Sequence, residues 1–293
     1  MSDPIVMLHK PSLREPIMLV GFGGWPNAGE VSTWVITYLL RSFNASKCAE
    51  IRPESFYDLV QQRPVVAIEG GRIQSVQFPG NTFYCANGVG EMARDLVLFL
   101  GQEPNLQWST FTDAFLDVAQ RLGVAEIFTV GGLYDNIPHT IEPRVTGLTN
   151  EERRLASFPS LAIRAIDYTG PMSIHTHLLV AAAQRKIPAT SLWGHVPYYI
   201  QSNNAKSCLA ILERLQRLTG LQLDLKDVRK ASELLDEEID RIIQSKPELR
   251  EYIQGLEAEY ASGEKNGNAS ARPARPQPTG EKIIRIDPFL RKG

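Results

Sequence analysis

The chain has 293 residues, 43% of them hydrophobic, a formal net charge of −2 and three cysteines. That balance suits one globular domain with appendages, and it provides no global field to draw the protein to nucleic acid or to anionic lipid. No apolar run approaches the roughly 20 residues that span a bilayer, and the opening MSDPIVMLHKP lacks the charged-then-apolar order of a secretory leader. The expected location is the cytoplasm, with no membrane partner.

Strand-like and helix-like stretches alternate along the chain. IMLVGF (17–22) reads as a buried strand. EVSTWVITYLLRSF (30–43) reads as a helix, because Val31, Trp34, Val35, Tyr38, Leu39 and Phe43 share one face at helical spacing. PVVAIEGGRIQSVQF (64–78) predicts two strands about a Gly-Gly turn. DLVLFLG (95–101) is a further strand, STFTDAFLDVAQRLG (109–123) a helix with a hydroxyl cap, and EIFTVGG (126–132) a strand running into glycines. LAIRAIDYTG (161–170) reads as a strand, and PMSIHTHLLVAAAQRK (171–186) as a helix with Pro171 at its first position. IPATSLWGHV (187–196) and NNAKSCLAILERLQRLTG (203–220) add a strand and a helix. This order predicts an α/β core domain over residues 1–222, three-layer α/β/α, with a mostly parallel central sheet.

Residues 223–261 change character: two amphipathic helices, broken at Pro247, are expected to pack on the core as a hairpin. Residues 262–281 are rich in Pro, Gly, Ala and Ser and read as a disordered linker, in which the sequon at Asn268 is idle. The tail, 282–293, restores Ile283, Ile284, Ile286, Phe289 and Leu290, a short apolar segment able to dock on a sheet edge or a neighbouring chain. Cys48, Cys85 and Cys208 are odd in number and far apart, and are expected to be buried free thiols.

The stretch GFGGWPNAGE (21–30) has the glycine spacing of a phosphate loop, but Glu30 stands where the lysine belongs and Val31 offers no hydroxyl. The dinucleotide fingerprint fails as well, with Pro26 at its last glycine. Asn27 as helix cap with Glu30 three residues on makes a capping box, so the stretch reads as a strand-to-helix turn.

Chemistry-bearing side chains gather where strands end. Trp25, Asn27 and Glu30 follow the first strand; Asp135 and His139 lie in GGLYDNIPHT, and His195 and Tyr198 in SLWGHVPYYI. In an open parallel sheet those ends share one rim, where such groups recognise a polar ligand or act as acid and base. Alternatively, Asp135, Asn136 and His139 hold loop backbone and Tyr198 packs. His175 and His177 lie about 200° apart around a helix, so they cannot share an ion; one is expected buried and one exposed. No nucleophile has an assigned base and no G-x-S-x-G elbow occurs, so no catalytic residue, metal or cofactor is expected.

Seven motifs, GFGGWPNAGE, FYDLVQQRP, LFLGQEPNLQW, GGLYDNIPHT, YTGPMSI, SLWGHVPYYI and LEAEY, stand in the order and rough spacing of the proteasome assembly chaperone 2 family. The chain resembles its bacterial and archaeal branch from about residue 16 to residue 260. The resemblance implies an α/β/α domain similar to the nucleoside-phosphorylase fold, often oligomeric, with eukaryotic relatives that chaperone the proteasome α-ring. Two features depart from the pattern. The final FLRKG replaces a hydrophobic–Tyr–any tripeptide, and His175 and His177 follow YTGP where small or aliphatic residues are usual. The expected function is a non-enzymatic, homo-oligomeric scaffold whose partners are other protein subunits, proteasome-like ones among them, or its own copies. A small-molecule binder or enzyme using the rim is the alternative.

Overall fold

A computed structural model describes residues 3–87 and 94–265. The tail 282–293, Asn268 and most of the expected linker lie outside them. In chain order the strands are β1 (Ile5–Met7), β2 (Ile17–Gly23), β3 (Ser46–Ile51), β4 (Val65–Glu69), β5 (Arg72–Gln77) and β6 (Asn81–Ala86). They continue with β7 (Leu96–Gln102), β8 (Glu126–Asp135), β9 (Val145–Thr149), β10 (Arg164–Ala165) and β11 (Ala189–Pro197). The helices are α1 (Val31–Ser42), α2 (Trp108–Arg121), α3 (Glu152–Ser157), α4 (Ile174–Gln184), α5 (Ala205–Thr219), α6 (Lys226–Gln244) and α7 (Pro247–Lys265).

Nine strands form one sheet in the order β1-β3-β6-β7-β2-β8-β11-β9-β10. Its centre, β7-β2-β8-β11, is parallel, as the sequence predicts. β2 and β11 are buried along their whole length, which is why they read as near-continuous apolar runs. Antiparallel pairs flank that centre: β6 on β7, β3 on β6 and β1 on β3 to one side, β9 on β11 to the other.

Helices cover both faces. α1 and α5 bring Val35, Leu39, Ile211 and Leu215 against Leu19, Phe128 and Leu192. On the other face α2 and α4 bring Phe111, Phe115, Leu178 and Ala182 against Met18, Val20 and Phe99. Phe83, Phe99 and Phe115 interlock there with ring centroids 4.7 to 5.3 Å apart. The architecture is the expected α/β/α sandwich. A third apolar cluster joins α6 and α7 to the core through Tyr199 and Ile200, which meet Leu235, Ile239, Leu249, Ile253 and Leu256. α7 runs to Lys265, so the first four residues of the expected linker are helical.

Several sequence expectations need correction. Only Arg164–Ala165 of the stretch 161–170 pairs as a strand, because a 3-10 turn over Pro159–Leu161 precedes it and residues 167–172 lie exposed. α4 starts at Ile174 rather than at Pro171: Ser173 is its cap, its hydroxyl accepting from Thr176 N at 3.3 Å. Cys48 and Cys85 are joined as a disulfide, and only Cys208 is a free, buried thiol. β3 and β6 are antiparallel neighbours, and a bulge at Cys48 sets the two Cα atoms 6.1 Å apart. The cysteines thus give no support to a reducing compartment.

The hairpin β4–β5 forms where 64–78 predicts it, yet as a separate two-stranded sheet with every residue exposed.

Candidate functional site

The opening loop crosses from β2 to α1 over β8. Gly132 N donates to Pro26 O at 2.8 Å, and Asn27 bridges to Gly132. A Cβ on Gly132 would collide with Ala28 O, so this crossing requires glycine. Asn27 Oδ1 accepts from Thr33 N at 3.1 Å and its Nδ2 donates to Thr33 Oγ1 at 3.0 Å, so Asn27 does satisfy a helix-start donor. The capping box does not form. Gly29 and Glu30 both adopt left-handed φ, near +57°, and kink a 3-10 turn (Ala28–Glu30) away from α1, so Glu30 itself occupies the cap position. Its side chain makes no capping hydrogen bond.

Three of the loop's backbone donors are already engaged. Asn27 N donates to Gly24 O and Glu30 N to Asn27 O, at 3.2 and 3.1 Å. Trp25 N donates to Glu103 Oε2 at 3.2 Å, and Glu103 Oε1 accepts from Ile174 N, the first residue of α4, also at 3.2 Å. Burial pushes the Glu103 carboxyl up, against the pull of those two donors. A phosphate here would meet a carboxylate. The apolar side chains of Trp25, Leu59, Val60, Leu106 and Met172 stay in water, Trp25 at 62% exposure.

At the ends of β8, β11 and β9 a second group assembles. Asp135 Oδ2 lies 2.7 Å from His195 Nδ1, and Thr146 Oγ1 lies 3.0 Å from His195 Nε2. A carboxylate on Nδ1 requires the hydrogen there, and in the neutral ring Nε2 is then the acceptor for the threonine hydroxyl. Arg144 Nη1 stands 3.5 Å from the same carboxylate oxygen, and Asn136 N donates to Oδ1 at 2.7 Å. Burial opposes ionisation of Asp135, but His195, Arg144 and the Asn136 amide together hold its carboxyl below the usual range. Hydroxyl, imidazole and carboxylate in a row is the order of an activated nucleophile. Here Thr146 is 5% exposed and His195 7%, so the chain ties three strand ends together in a dry setting.

His139 belongs to a third group. Its ring Nδ1 meets Tyr199 Oη at 2.8 Å and its Nε2 meets Asp240 at 3.3 Å, while its backbone N–H donates to the same phenol at 2.6 Å. Lys206 Nζ donates to His139 O at 2.6 Å and to Asp236 at 2.7 Å. Through these bonds α6 closes over the ends of β8 and β11. The cavity left between His139, His195, Asn204, Lys206 and Asp236 holds about 10 Å³, room for one water.

The seven rim residues thus separate. Asp135 and His195 bond directly, and Tyr198 N donates to Asp135 O while its ring stacks on Tyr134 at 5.6 Å. His139 ties down α6, Asn27 caps α1, Glu30 occupies the kink, and Trp25 stands beside Glu103. Arg144, Thr146, Tyr199, Lys206 and Glu103 carry no local sequence signal, because each partner is remote in the chain. His175 is fully buried against Phe22 and Trp193 with neither ring nitrogen partnered, and burial lowers its pKa to about 3. His177 is half-buried rather than exposed, 3.0 Å from Thr112 Oγ1. Among the described residues no three His, Cys, Asp or Glu side chains gather as a metal site, and no helix is long and apolar enough to cross a membrane.

The fold recurs in known proteins. The sequence model of the PAC2 family matches residues 21–243. The chain belongs to the PAC2 family. A PAC2 family protein from Streptomyces avermitilis is 30% identical, over 81% of this chain and 99% of its own, with a TM-score of 0.73. A Mycobacterium tuberculosis proteasome-assembly chaperone homologue is likewise 30% identical over 81% and 99% of the two chains, with a TM-score of 0.74. More distantly, an archaeal proteasome activator from Pyrococcus furiosus shares the fold at 23% identity and a TM-score of 0.65, over 81% and 97% of the two chains. No curated protein matches the chain. Within this PAC2 chain, Trp25 to Glu30 and all of α6 but its last residue, Gln244, lie inside the matched span.

Proposed function

We propose that this PAC2 chain is a non-enzymatic, cytoplasmic scaffold of the assembly-chaperone type, homo-oligomeric, whose partners are protein subunits or its own copies. The observation that carries the reading is the β4–β5 hairpin. Two strands alone are marginal in water, yet these expose Val65 at 67% and Ile73 at 68%, with Val66, Ile68 and Val76 beside them. Among the described residues both strands also keep an open edge, a template for pairing with another chain. A protein surface covering this arm removes both liabilities. The 30% identity to a proteasome-assembly chaperone homologue supports the same kind of partner. Closure of the β8–β11 rim by α6 argues against the enzyme alternative, since among the described residues the cavity between His139 and His195 holds only about 10 Å³.

The test is the mass of the full chain by light scattering and native mass spectrometry, with and without the paired change Ile68→Lys/Ile73→Glu. A multimer that falls toward the monomer in the variant is expected. A wild-type monomer that also captures no stoichiometric protein from its native cells would overturn the reading.

A further inference from the structure

A groove of about 1030 Å³ opens at the β10 end of the sheet, between residues 140–145, residues 159–165 and the last turns of α7. Small or flat apolar residues make up much of its wall: Pro143, Pro159, Ala162, Ala165 and Ala261, with the Tyr260 ring beside them. Arg214 Nη2 donates to Glu142 at 3.0 Å, Arg144 stands 3.5 Å from Asp135, and Glu257 accepts from Thr140 Oγ1 at 2.6 Å. Charges matched in this way ask for no counter-charge, and small apolar side chains leave room for large ones, so the groove suits an apolar occupant of no net charge. It also borders an open strand edge. β10 closes the strand order, pairing with β9 on one side and, among the described residues, with no strand on the other. Ile166 N donates to Gly147 O of β9 at 3.1 Å, so alternation along the chain turns the backbone groups of Ala165 and Asp167 to the open side. Such an edge is a template for one more strand.

We infer that the groove is the docking site of this chain's own residues 283–290, IIRIDPFL, which add a strand to the open edge of β10. Ile283, Ile284, Ile286, Phe289 and Leu290 are large and apolar, and Arg285 cancels Asp287. The run IIRI has strand-forming side chains, with Ile284 and Ile286 on one face, and Pro288 ends the run. The tether fits this groove. α7 ends at Lys265, four residues past Ala261 of the wall, or about 6 Å along the helix axis. A flexible coil over residues 266–281 spans about 22 Å on average, so the segment reaches the groove from the same chain. Held that close, its effective concentration is on the order of millimolar, enough to keep a short apolar strand seated without high intrinsic affinity. The groove lies at the β10 end of the sheet order, whereas the hairpin leaves the chain between β3 and β6, so failure here leaves the oligomer reading standing.

The experiment uses the full chain throughout. Phe289→p-benzoylphenylalanine puts a photo-crosslinker in the segment, and a mixture of light and heavy-isotope chains is irradiated and read by mass spectrometry. The expected crosslink lands on residues 140–145, 159–165 or 257–261 of the same chain. Hydrogen exchange gives a second reading: the amides of Ala165, Asp167 and residues 283–287 exchange about tenfold faster in Ile284→Asp/Ile286→Asp than in the parent. Ala261→Trp, a change at an exposed helix position that fills the groove, weakens the crosslink by a similar factor. Melting curves that match the parent show that both variants keep the core. Crosslinks to the hairpin or elsewhere on the chain, crosslinks that join light to heavy chains in statistical proportion, or equal exchange in parent and folded variant would each overturn the assignment.

Discussion

The rim of the sheet has two halves built on opposite principles. At β8 and β11 the polar side chains are spent inward: Asp135, His195 and Thr146 bond to one another, and His139 and Lys206 hold α6 down over them. At β2 and β7 the backbone donors go to Glu103, and the exposed groups are apolar, Trp25, Leu106 and Met172. A single edge of one sheet therefore carries a sealed half and an open half. Chemistry-bearing residues gathered at strand ends do not by themselves make an active site; burial decides whether they face a ligand or each other.

The disulfide gives the largest expected effect on this contrast. Cys48 and Cys85 close a loop of 37 residues that contains the whole hairpin, so they tie the two strands from which the arm emerges to each other. Replacing both by alanine should lower stability by about 4 kcal/mol in urea unfolding, on the chain-entropy argument. A loss below about 1 kcal/mol would show that the arm needs no such tie. The sealed half should respond next. Asp135→Ala strands His195 in a dry site without its carboxylate, and about 2 to 3 kcal/mol should be lost. If the change proves neutral, the polar chain is no tie.

Acid probes the same buried side at His175. Its pKa is about 3 in the folded chain against 6.5 for an ordinary histidine, so the unfolded chain binds a proton through that window and the folded chain does not. Stability should be level above pH 6.5 and fall as pH drops toward 3, by roughly 1.4 kcal/mol per unit. His175→Leu should flatten that part of the profile, which equilibrium unfolding at pH 7 and 4.5 measures directly. The smallest effect belongs to the open half: Trp25→Ala should move stability by no more than about 0.5 kcal/mol, because its ring is already in water. A much larger loss would mean that the two halves are not built differently.

Elements with their own periodicity were legible without a structure. β2, α1, β7, β8, β11 and the helices after residue 203 follow from apolar runs or helical spacing, and GGRIQ marks the hairpin turn. The edge strand β1, its neighbours β3 and β6, and β9 were not legible, since short strands such as SKCAEI take their identity from the neighbour they pair with. The candidate site divided in the same way. Its residues could be placed at strand ends from the sequence, but not sorted into groups. Thr146 and His195 are 49 positions apart, and His139 and Asp240 are 101 apart.

The sequence by itself determined the sandwich, the strand-to-helix turn at GFGGWPNAGE and the absence of a phosphate signature there, because local period and local turn chemistry decide those. Only the tertiary structure decided that Cys48 meets Cys85, that α6 seals half of the rim, and that no other described residue covers the apolar hairpin. Those outcomes depend on which distant surfaces bury one another, and no window of neighbouring residues contains that information.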